Sequence, residues 1–532
     1  MKKAAKKIRI VSLLAALTAL ALTACPSGTG GPPPSSPSAK EITAFSFASP
    51  AAAGTIDQAN RTVTVTVPSG TNMKSLAPSI IHSGAFISPA SGVPQDFYKA
   101  GFTPVVYTVT AGDGSTALWT VTVRMEPLPP AASIAGYING EANYAGTDAD
   151  PIPLPLGIDL STEWANLLSA INTAGKYVAL DLSACTMAGA EFDPQPGASN
   201  SGESWIISLA LPDAAAGIKA AGAWNDRPFR YFSSLKSLNA GKVTNVGGYA
   251  FSGCTSLTAI SLPQAANVGG YAFSGCASLT EINLPKVASI GYEAFSSCTS
   301  LTAISLPQAA NIGDYAFGGC TSLTEISLPS VASIDVGAFV GCTSLASVSL
   351  PASLTDIGAN PFPGCTALAN ITVAAANPAY KAEGGKLLSK DGKTLIGWPT
   401  ASGAVTLNEI TSVGAYAFFA CTSLTAISLP AATNIGDYAF GLCTSLSTIS
   451  LPQAASIGDY AFYRCSSLAT VNLPAIESIG RAAFNDTGTT ALALTLGPTV
   501  PILGDQMFWG VSSKAVTVQV PSGSSGYGSA PA

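Results

Sequence analysis

The chain has 532 residues, of which 47% are hydrophobic and only 10% are charged, and its formal net charge is −6. Because nucleic-acid binding needs clustered Lys and Arg, this balance argues against a nucleic-acid partner. His82 is the single histidine, so zinc sites built from several histidines are excluded. A Ser-His-Asp triad would need a serine elbow near His82, and the sequence has none there. We therefore interpret His82 as incidental.

Residues 1–25 have the pattern of an export signal, with a basic head followed by an apolar run from residue 10 to residue 22. The run ends in Leu22-Thr23-Ala24-Cys25, which resembles a bacterial lipobox. This resemblance implies that Cys25 receives a lipid, becomes the mature N-terminus and anchors the protein in a membrane outside the cytoplasm. The alternatives are an ordinary signal peptide with a chance cysteine, or a short membrane anchor.

Residues 26–40 contain 12 Pro, Gly or Ser among 15 positions and are predicted to form an extended tether. At about 3.1 Å per residue, the tether could hold the folded part up to about 45 Å from the bilayer.

Residues 41–126 change to a period of two, as in Thr62 to Val67 and Leu118 to Val123, which is typical of half-buried strands. Asp113-Gly114 is a hairpin signal, because both residue types tolerate positive φ. We expect a small antiparallel β-sandwich. It resembles the immunoglobulin-like modules that bacterial surface lipoproteins place between the anchor and the working domain.

Residues 127–242 contain one clear helix, for which Ser161 or Thr162 is the expected N-cap and Gly175 the expected end. Strand-like segments follow, and one of them echoes the repeat described next. We interpret the region as degenerate first coils with a helical N-terminal cap, because an uncapped solenoid exposes its apolar end. A separate enzymatic domain is the alternative.

Nine cysteines recur at intervals of 22 residues, interrupted once by 23 and once by 56, which indicates a solenoid built by duplication. They are Cys254, Cys276, Cys298, Cys320, Cys342, Cys365, Cys421, Cys443 and Cys465. With the cysteine as position 1, positions 4, 7, 9 and 20 are apolar. Proline at position 10 is predicted to end each strand. Glycine at position 16 is predicted to supply a turn conformation.

The repeats proper span residues 243–490 and are interrupted at about 373–410, where Lys390-Asp391-Gly392-Lys393 predicts a hairpin. Residues 491–521 are predicted to form the last coil and a C-terminal cap. The Gly/Ser-rich residues 522–532 are predicted to be disordered.

The consensus C-T-S-L-T-x-I-x-L-P-x-x-x-x-I-G-x-x-A-F, with its Asn-Pro-x-Tyr and Ser-Lys-Asp-Gly-Lys interruption, resembles the BspA-type bacterial leucine-rich repeat. The resemblance covers about half of the chain. It implies a leucine-rich-repeat solenoid with a parallel sheet, and adhesion to host matrix proteins or other bacteria. Proline at position 10 departs from the asparagine that leucine-rich repeats generally have there, which puts an asparagine ladder in doubt.

The sequence offers little for metal or cofactor chemistry. Parallel side chains on adjacent coils disfavour disulfides, so we expect a column of small apolar thiols. Close C-x-x-C pairs and phosphate-loop spacings are absent from the sequence. Asp314, Asp437 and Asp459 are interpreted as solvated loop charges rather than calcium ligands. We expect no cofactor, no metal and no catalytic residue.

Positions 6 and 8 are predicted to point outward from the strands and to form a ladder of short polar side chains. The candidate binding face consists of Glu281, Asn283, Ser305, Glu325, Ser327, Ser349, Ser428, Ser450 and Asn472. The interruption provides a second candidate patch, with Tyr380, Lys386, Lys393 and Trp398.

These features predict a non-enzymatic lipoprotein of the bacterial envelope, exposed on the outer membrane, that binds an extracellular protein or glycan. The alternative is an envelope spacer or scaffold without a dedicated ligand. An enzyme would have to reside in residues 127–240. Binding to an ice lattice is disfavoured, because alternating Ala and Glu at position 6 break the required uniformity.

Overall fold

A computed structural model describes residues 38–98, 104–128, 134–194, 202–221, 227–487, 492–508, 516–522 and 524. The predictions for the export signal, for Cys25, for most of the tether and for most of the C-terminal tail lie outside these residues. The predicted fold class is confirmed: the protein is mainly β, with a parallel-sheet solenoid that follows an antiparallel β module.

The N-terminal module is a folded-over sheet with the strand order β4-β1-β2-β3-β7-β6-β5. Its strands are β1 (Ile42–Ala48), β2 (Ala51–Asp57), β3 (Thr62–Val67), β4 (Pro78–His82), β5 (Phe86–Ser88), β6 (Val105–Thr110) and β7 (Thr116–Met125). All neighbours are antiparallel except β3 and β7, which are parallel. The two halves pack face to face, since the rings of Phe45 and Tyr107 meet edge-on at 6.0 Å.

Two helices follow, α1 (Ile134–Gly140) and α2 (Leu160–Ala174). Helix α2 begins after Asp159, whose side chain accepts a hydrogen bond from the Ser161 N–H at 3.0 Å. The expectation that Ser161 or Thr162 caps the helix is therefore wrong, because the helix starts earlier. Gly175 ends it in the left-handed conformation, as predicted. Among the described residues, neither helix is long and apolar enough to span a bilayer.

The solenoid has a main sheet whose strands carry positions 6 to 8 of each coil. Before the interruption these are β8 (Ile152–Pro155), β9 (Val178–Asp181), β11 (Ile206–Ala210), β13 (Ser237–Asn239), β15 (Ala259–Ser261), β17 (Glu281–Asn283), β19 (Ala303–Ser305), β21 (Glu325–Ser327), β23 (Ser347–Leu350) and β25 (Asn370–Val373). After it come β29 (Gly403–Thr406), β31 (Leu424–Ser428), β33 (Thr448–Ser450), β35 (Thr470–Leu473), β37 (Leu492–Leu496) and β39 (Val516–Gln519). The sheet therefore begins well before the first clear repeat.

An opposite sheet of two-residue strands lies on the far side of the coils. It contains β10 (Glu191–Phe192), β12 (Gly217–Ile218), β14 (Asn245–Val246), β16 (Asn267–Val268), β18 (Ser289–Ile290), β20 (Asn311–Ile312), β22 (Ser333–Ile334) and β24 (Asp356–Ile357). Past the interruption it continues with β30 (Ser412–Val413), β32 (Asn434–Ile435), β34 (Ser456–Ile457), β36 (Ser478–Ile479) and β38 (Ile502–Leu503). Parallel pairing places each repeat position beside its own copy, as Val268 beside Ile290.

The core is a set of columns in which each side chain stacks on its equivalent in the next coil. The position-20 rings of Phe273, Phe295 and Phe317 are nearly parallel, with centroids 5.1 and 5.2 Å apart. Leucine at position 4 and position 9 is fully or almost fully buried in these coils. The described core is continuous from Ile42 in the N-terminal module to Leu387, and a second cluster extends to Leu496.

The cysteine column is buried and hydrogen-bonded. The Cys298 thiol donates to the carbonyl oxygen of Phe273, 25 residues earlier, at 3.2 Å, and the same contact recurs along the stack. All ten described cysteines are free. Burial raises the pKa of the Cys254 and Cys421 thiols to about 12, which keeps them protonated and unreactive.

Glycine at position 16 has a different role from the predicted one. Gly269, Gly291 and Gly313 do not have positive φ. A Cβ at Gly291 would instead lie 2.6 Å from the backbone nitrogen of Gly270 in the preceding coil. The left-handed conformation occurs at positions 18 and 22, as at Tyr271 (φ 58°) and Gly275 (φ 75°).

The interruption forms an antiparallel extension on the opposite sheet, made of β26 (Tyr380–Glu383), β27 (Lys386–Ser389) and β28 (Thr394–Gly397). Strand β28 is parallel to β30, so the opposite sheet resumes from it. The Asn360 side chain donates to the Tyr416 carbonyl oxygen at 2.8 Å. This bond joins the coil before the interruption to the coil after it.

We expect Gly291→Ala to destabilise the protein by about 1–3 kcal/mol, because its methyl group would force two backbones apart. The control is Gly241→Ala, whose Cβ would meet only the Asn239 side chain at 3.5 Å and whose φ is not positive. Thermal unfolding of both variants measures the difference. Equal midpoints would contradict a close-approach role for the position-16 glycine.

In protein expressed without residues 1–25, we expect Cys254 and Cys421 to react with iodoacetamide at pH 8 at least about a hundredfold more slowly than an ordinary thiol, because only the thiolate reacts. Burial raises the pKa of both thiols to about 12, so their thiolate is scarce until the pH approaches that value. Mass spectrometry before and after denaturation counts the labels, and an added surface cysteine, Ser305→Cys, is the reactive control. Rapid labelling of Cys254 or Cys421 in the folded protein would refute the sealed column.

Candidate binding surface

The outward side of the main sheet, which we call the strand face, presents positions 6 and 8 to solvent. The predicted candidate residues Glu281, Asn283, Ser305, Glu325, Ser327, Ser349 and Asn472 are exposed, and Ser428 and Ser450 are half-buried. Position 7 between them is mostly buried, as at Ile304 and Ile326. The alternation places short polar side chains outward and the aliphatic core inward.

The structure brings the predicted residues together in groups rather than as one unbroken ladder. Ser305 lies beside Ser327 across β19 and β21, and Ser428, Ser450 and Asn472 are successive partners across β31, β33 and β35. No ladder pairing joins β17 to β19 or β21 to β23 within the described strands. Asn283 and Ser305 are therefore not ladder partners, and neither are Ser327 and Ser349, although β17 lies beside β19 and β21 beside β23.

The strand face is nearly uncharged. From β13 to β39, the outward positions of the described strands carry two charged side chains, Glu281 and Glu325. Neither carboxylate has an ion pair among the described residues. The face is therefore polar and weakly acidic.

The N-terminal module lies over the first coils and forms a cleft with the strand face. Its volume is about 600 Å³. Pro104, Val106 and Thr120 line one wall. The other wall consists of coil residues that include Ser237, Asn239, Ser261, Glu281 and Asn283. Sequence reasoning missed this cleft, because no local pattern records how the module packs on the coils.

Direct contacts fix the module against the coils. Arg124 pairs with Asp213 at 3.2 Å, and Lys74 pairs with Asp150 at 2.6 Å. The Tyr98 hydroxyl donates to the Pro151 carbonyl oxygen at 2.5 Å, and burial strongly raises the pKa of this hydroxyl. Together with the continuous core, these contacts make the cleft a preformed feature.

In the second candidate patch, the side chains of Tyr380, Lys386, Lys393 and Trp398 interact mainly with other groups of the chain. The Lys386 ammonium lies 5.1 Å from the centre of the Trp398 ring, and Lys393 pairs with Glu409 at 2.9 Å. The Tyr380 hydroxyl donates to the Thr355 carbonyl oxygen at 3.4 Å. Its charged and aromatic groups are thus engaged with the chain itself.

The recurring aspartates have a structural role that the sequence interpretation missed. Asp437 accepts the Asp459 N–H at 2.8 Å through Oδ1, and Asp459 accepts the Arg481 N–H at 2.7 Å. Asp314 does the same for Val336. Each carboxylate thus caps a backbone N–H of the next coil, so "solvated loop charge" is an incomplete description. No group of three possible metal ligands exists among the described residues.

A column of tyrosines at position 18 is a further feature that the consensus left unassigned. The rings of Tyr416 and Tyr438 stack at 5.1 Å, and those of Tyr438 and Tyr460 stack at 4.8 Å. The rings cover one another's faces, so the column joins coils and leaves few ring faces open. The signal that could have found it was the recurrence of Tyr two residues before six of the conserved Phe residues, at Tyr249, Tyr271, Tyr315, Tyr416, Tyr438 and Tyr460.

Comparison with known proteins agrees with this architecture. The family model "BspA type Leucine rich repeat region" matches six copies over residues 224–330, 310–378 and 402–515, and the model "SGBP, N-terminal" matches residues 42–123. None of the curated proteins is significantly similar to the chain.

The solved structures that are similar to the chain include the following three. A leucine-rich cell surface protein from Faecalibacterium prausnitzii is 28% identical over 59% of this chain and 84% of its own, with a TM-score of 0.49. A leucine-rich repeat protein from Bacteroides ovatus is 25% identical over 56% and 80%, with a TM-score of 0.36. The pneumococcal vaccine antigen PcpA is 20% identical over 60% and 75%, with a TM-score of 0.37.

The repeat model spans just over half of the chain and coincides with the cysteine-marked coils of the solenoid. The chain therefore belongs to the BspA-type leucine-rich-repeat family.

Proposed function

We propose that this protein is a non-enzymatic, lipid-anchored surface protein of the bacterial envelope whose solenoid binds an extracellular protein or glycan, as an adhesin does. The observation that supports this most is the strand face, an exposed and regular array of short polar side chains. The candidate residues are Glu281, Asn283, Ser305, Glu325, Ser327, Ser349, Ser428, Ser450 and Asn472.

Physical chemistry favours recognition by many weak contacts. Ser, Thr and Asn side chains lose little rotamer entropy when a partner covers them. The entropic cost of immobilising these side chains therefore subtracts little from the binding free energy. At about 4.8 Å per coil, the strands from β13 to β39 extend over about 60 Å. A surface of this length suits an extended protein or a glycan chain.

Anchoring is the other half of the proposal. Cys25 would carry the lipid and the tether would hold the module and the solenoid outside the cell, on the outer membrane. The competing hypothesis is a spacer or scaffold in which the repeats only set a distance and no face has a ligand.

The double variant Ser305→Arg and Ser327→Arg tests the strand face. These residues are neighbours across β19 and β21, so two long cations would cover the polar array without entering the core. We expect binding to immobilised host matrix proteins or to a glycan array to fall at least about tenfold, with an unchanged thermal midpoint.

The matched control is Ser289→Arg, which places the same side chain on the opposite sheet. Retained binding in the control with loss in the double variant supports the strand face. If the unmodified protein binds no matrix protein or glycan even at high micromolar concentration, or if the double variant binds normally, the binding hypothesis fails and the spacer is favoured.

Cys25→Ser tests the anchor. Because serine lacks the thiol that accepts diacylglycerol, we expect the variant to incorporate no radiolabelled palmitate and to leave the membrane fraction. Cys185→Ser should label normally, since Cys185 is buried in the folded chain. Unlabelled wild-type protein, or labelled Cys25→Ser, would disprove lipidation at this residue.

A further inference from the structure

We propose that the cleft between the N-terminal module and coils β13 to β19 is the principal docking site, and that it takes an extended polypeptide segment carrying a Lys or Arg that pairs with Glu281. This inference rests on the proposed binding role of the strand face. It adds the place on that face and the chemistry of the partner.

The two walls of the cleft are both outward faces of β-sheets. On the module, Val106 and Thr120 are partners across β6 and β7, and Val106 is 50% exposed. The same face carries Leu118, which is 61% exposed. On the coils, Ser261 and Asn283 are partners across β15 and β17. An apolar wall thus faces a polar wall, which suits a chain with alternating apolar and polar side chains.

The ladder of the main sheet is interrupted inside this cleft. Strands β15 and β17 are paired, and so are β19 and β21, but β17 and β19 are not, although they lie side by side. The opposite sheet remains paired through β16, β18 and β20, so the interruption is confined to the strand-face side. Ile282 in β17 is half-buried, whereas the equivalent Ile260 and Ile304 are each 4% exposed.

Strand backbone without a ladder partner favours a polypeptide as the occupant. The residues on both sides of this break in the ladder, Glu281 to Asn283 and Thr302 to Ala303, line the cleft. Unpaired backbone N–H and C=O groups of a strand are the groups with which an extended peptide pairs when it adds to a sheet edge. A saccharide has no equivalent row of alternating donors and acceptors.

The charge and the residue types that line the cleft indicate the chemistry of the partner segment. Glu281 is the one charged side chain among the residues that line the cleft, and it has no ion pair within the described residues. The lining contains no Lys or Arg and no aromatic platform for stacking a sugar ring. The exposed Glu281 carboxylate can pair with a cationic side chain of the partner. A basic extended segment therefore fits best.

The rigid attachment of the module strengthens the site. Because the module shares its core with the first coils and is fixed by the Arg124 and Lys74 ion pairs, the cleft exists before the partner arrives. A preformed cleft avoids the ordering that would otherwise weaken binding.

The experiment uses residues 26–532, which are the mature chain without the lipidated Cys25, and a phage-displayed library of random dodecapeptides. Peptides enriched on the unmodified protein are synthesised, and their affinities are measured for Glu281→Gln, Val106→Trp and Glu477→Gln. Glu281→Gln removes the charge at constant shape, and Val106→Trp fills the cleft from the module side. Glu477→Gln is the matched control, because Glu477 is exposed and lies outside both the cleft lining and the candidate binding face.

We expect the enriched peptides to contain Lys or Arg and to lose at least tenfold in affinity with Glu281→Gln and with Val106→Trp, but less than twofold with Glu477→Gln. The affinity for wild type should fall as salt rises. Thermal midpoints confirm that each variant is folded.

Several results would overturn the proposal: no enrichment, enrichment of peptides without Lys or Arg, or affinities unchanged by both cleft substitutions. A neutral oligosaccharide that competes for the cleft and is insensitive to Glu281→Gln would reject the polypeptide assignment. If no peptide binds in the cleft but the double variant Ser305→Arg and Ser327→Arg loses matrix or glycan binding, the cleft proposal is rejected and the proposed function is retained. If peptides bind in the cleft and the double variant binds matrix proteins and glycans normally, the cleft proposal is retained and binding along the rest of the strand face is rejected.

Discussion

Parallel pairing at a single register is the constraint on which the rest of the structure depends. It places every repeat position directly beside its own copy in the next coil, so a residue type is acceptable only if it packs against itself. Phenylalanine satisfies this by stacking its rings, as Phe295 does on Phe317. Cysteine satisfies it through a hydrogen bond from its thiol to a carbonyl oxygen of the preceding coil. Glycine satisfies it at position 16, where two backbones approach too closely for a Cβ.

The same constraint accounts for the surface. Because equivalent positions lie side by side in successive coils, the outward side chains also line up along the solenoid. These outward positions face solvent rather than the core, and most of them are small or polar. The ladder of the main sheet is interrupted between β17 and β19 and again between β21 and β23, although the opposite sheet stays paired at both places. The N-terminal module lies over the first of these interruptions and adds a wall that the repeats lack. The repeating surface thus acquires a cleft there, and our further inference concerns this cleft.

The coils and the antiparallel strands of the N-terminal module were predictable from the sequence, but the packing of the module on the coils was not. The 22-residue period indicated the coils, the inward Ile260 and Leu262 and the outward Ser261 before any coordinates were known. The sequence indicated that position 16 requires glycine, but the predicted reason, a turn conformation, was wrong. The close approach of two backbones in neighbouring coils cannot be read from the sequence of a single repeat. Similarly, Asp437 was interpreted as solvated because its acceptor role requires the next coil. The cleft depends on contacts such as Arg124 with Asp213, which join residues far apart in sequence.

The central claim is that the coils are interchangeable units that share one geometry. Deleting residues 298–341 tests it most directly, since the cut joins Ser297 to Cys342 and removes two whole repeats in register. The measurement is the maximum dimension of the variant by small-angle X-ray scattering, together with its thermal transition. We predict a folded protein about 10 Å shorter, with a cooperative transition. An expanded, aggregated or non-cooperative chain would contradict the claim.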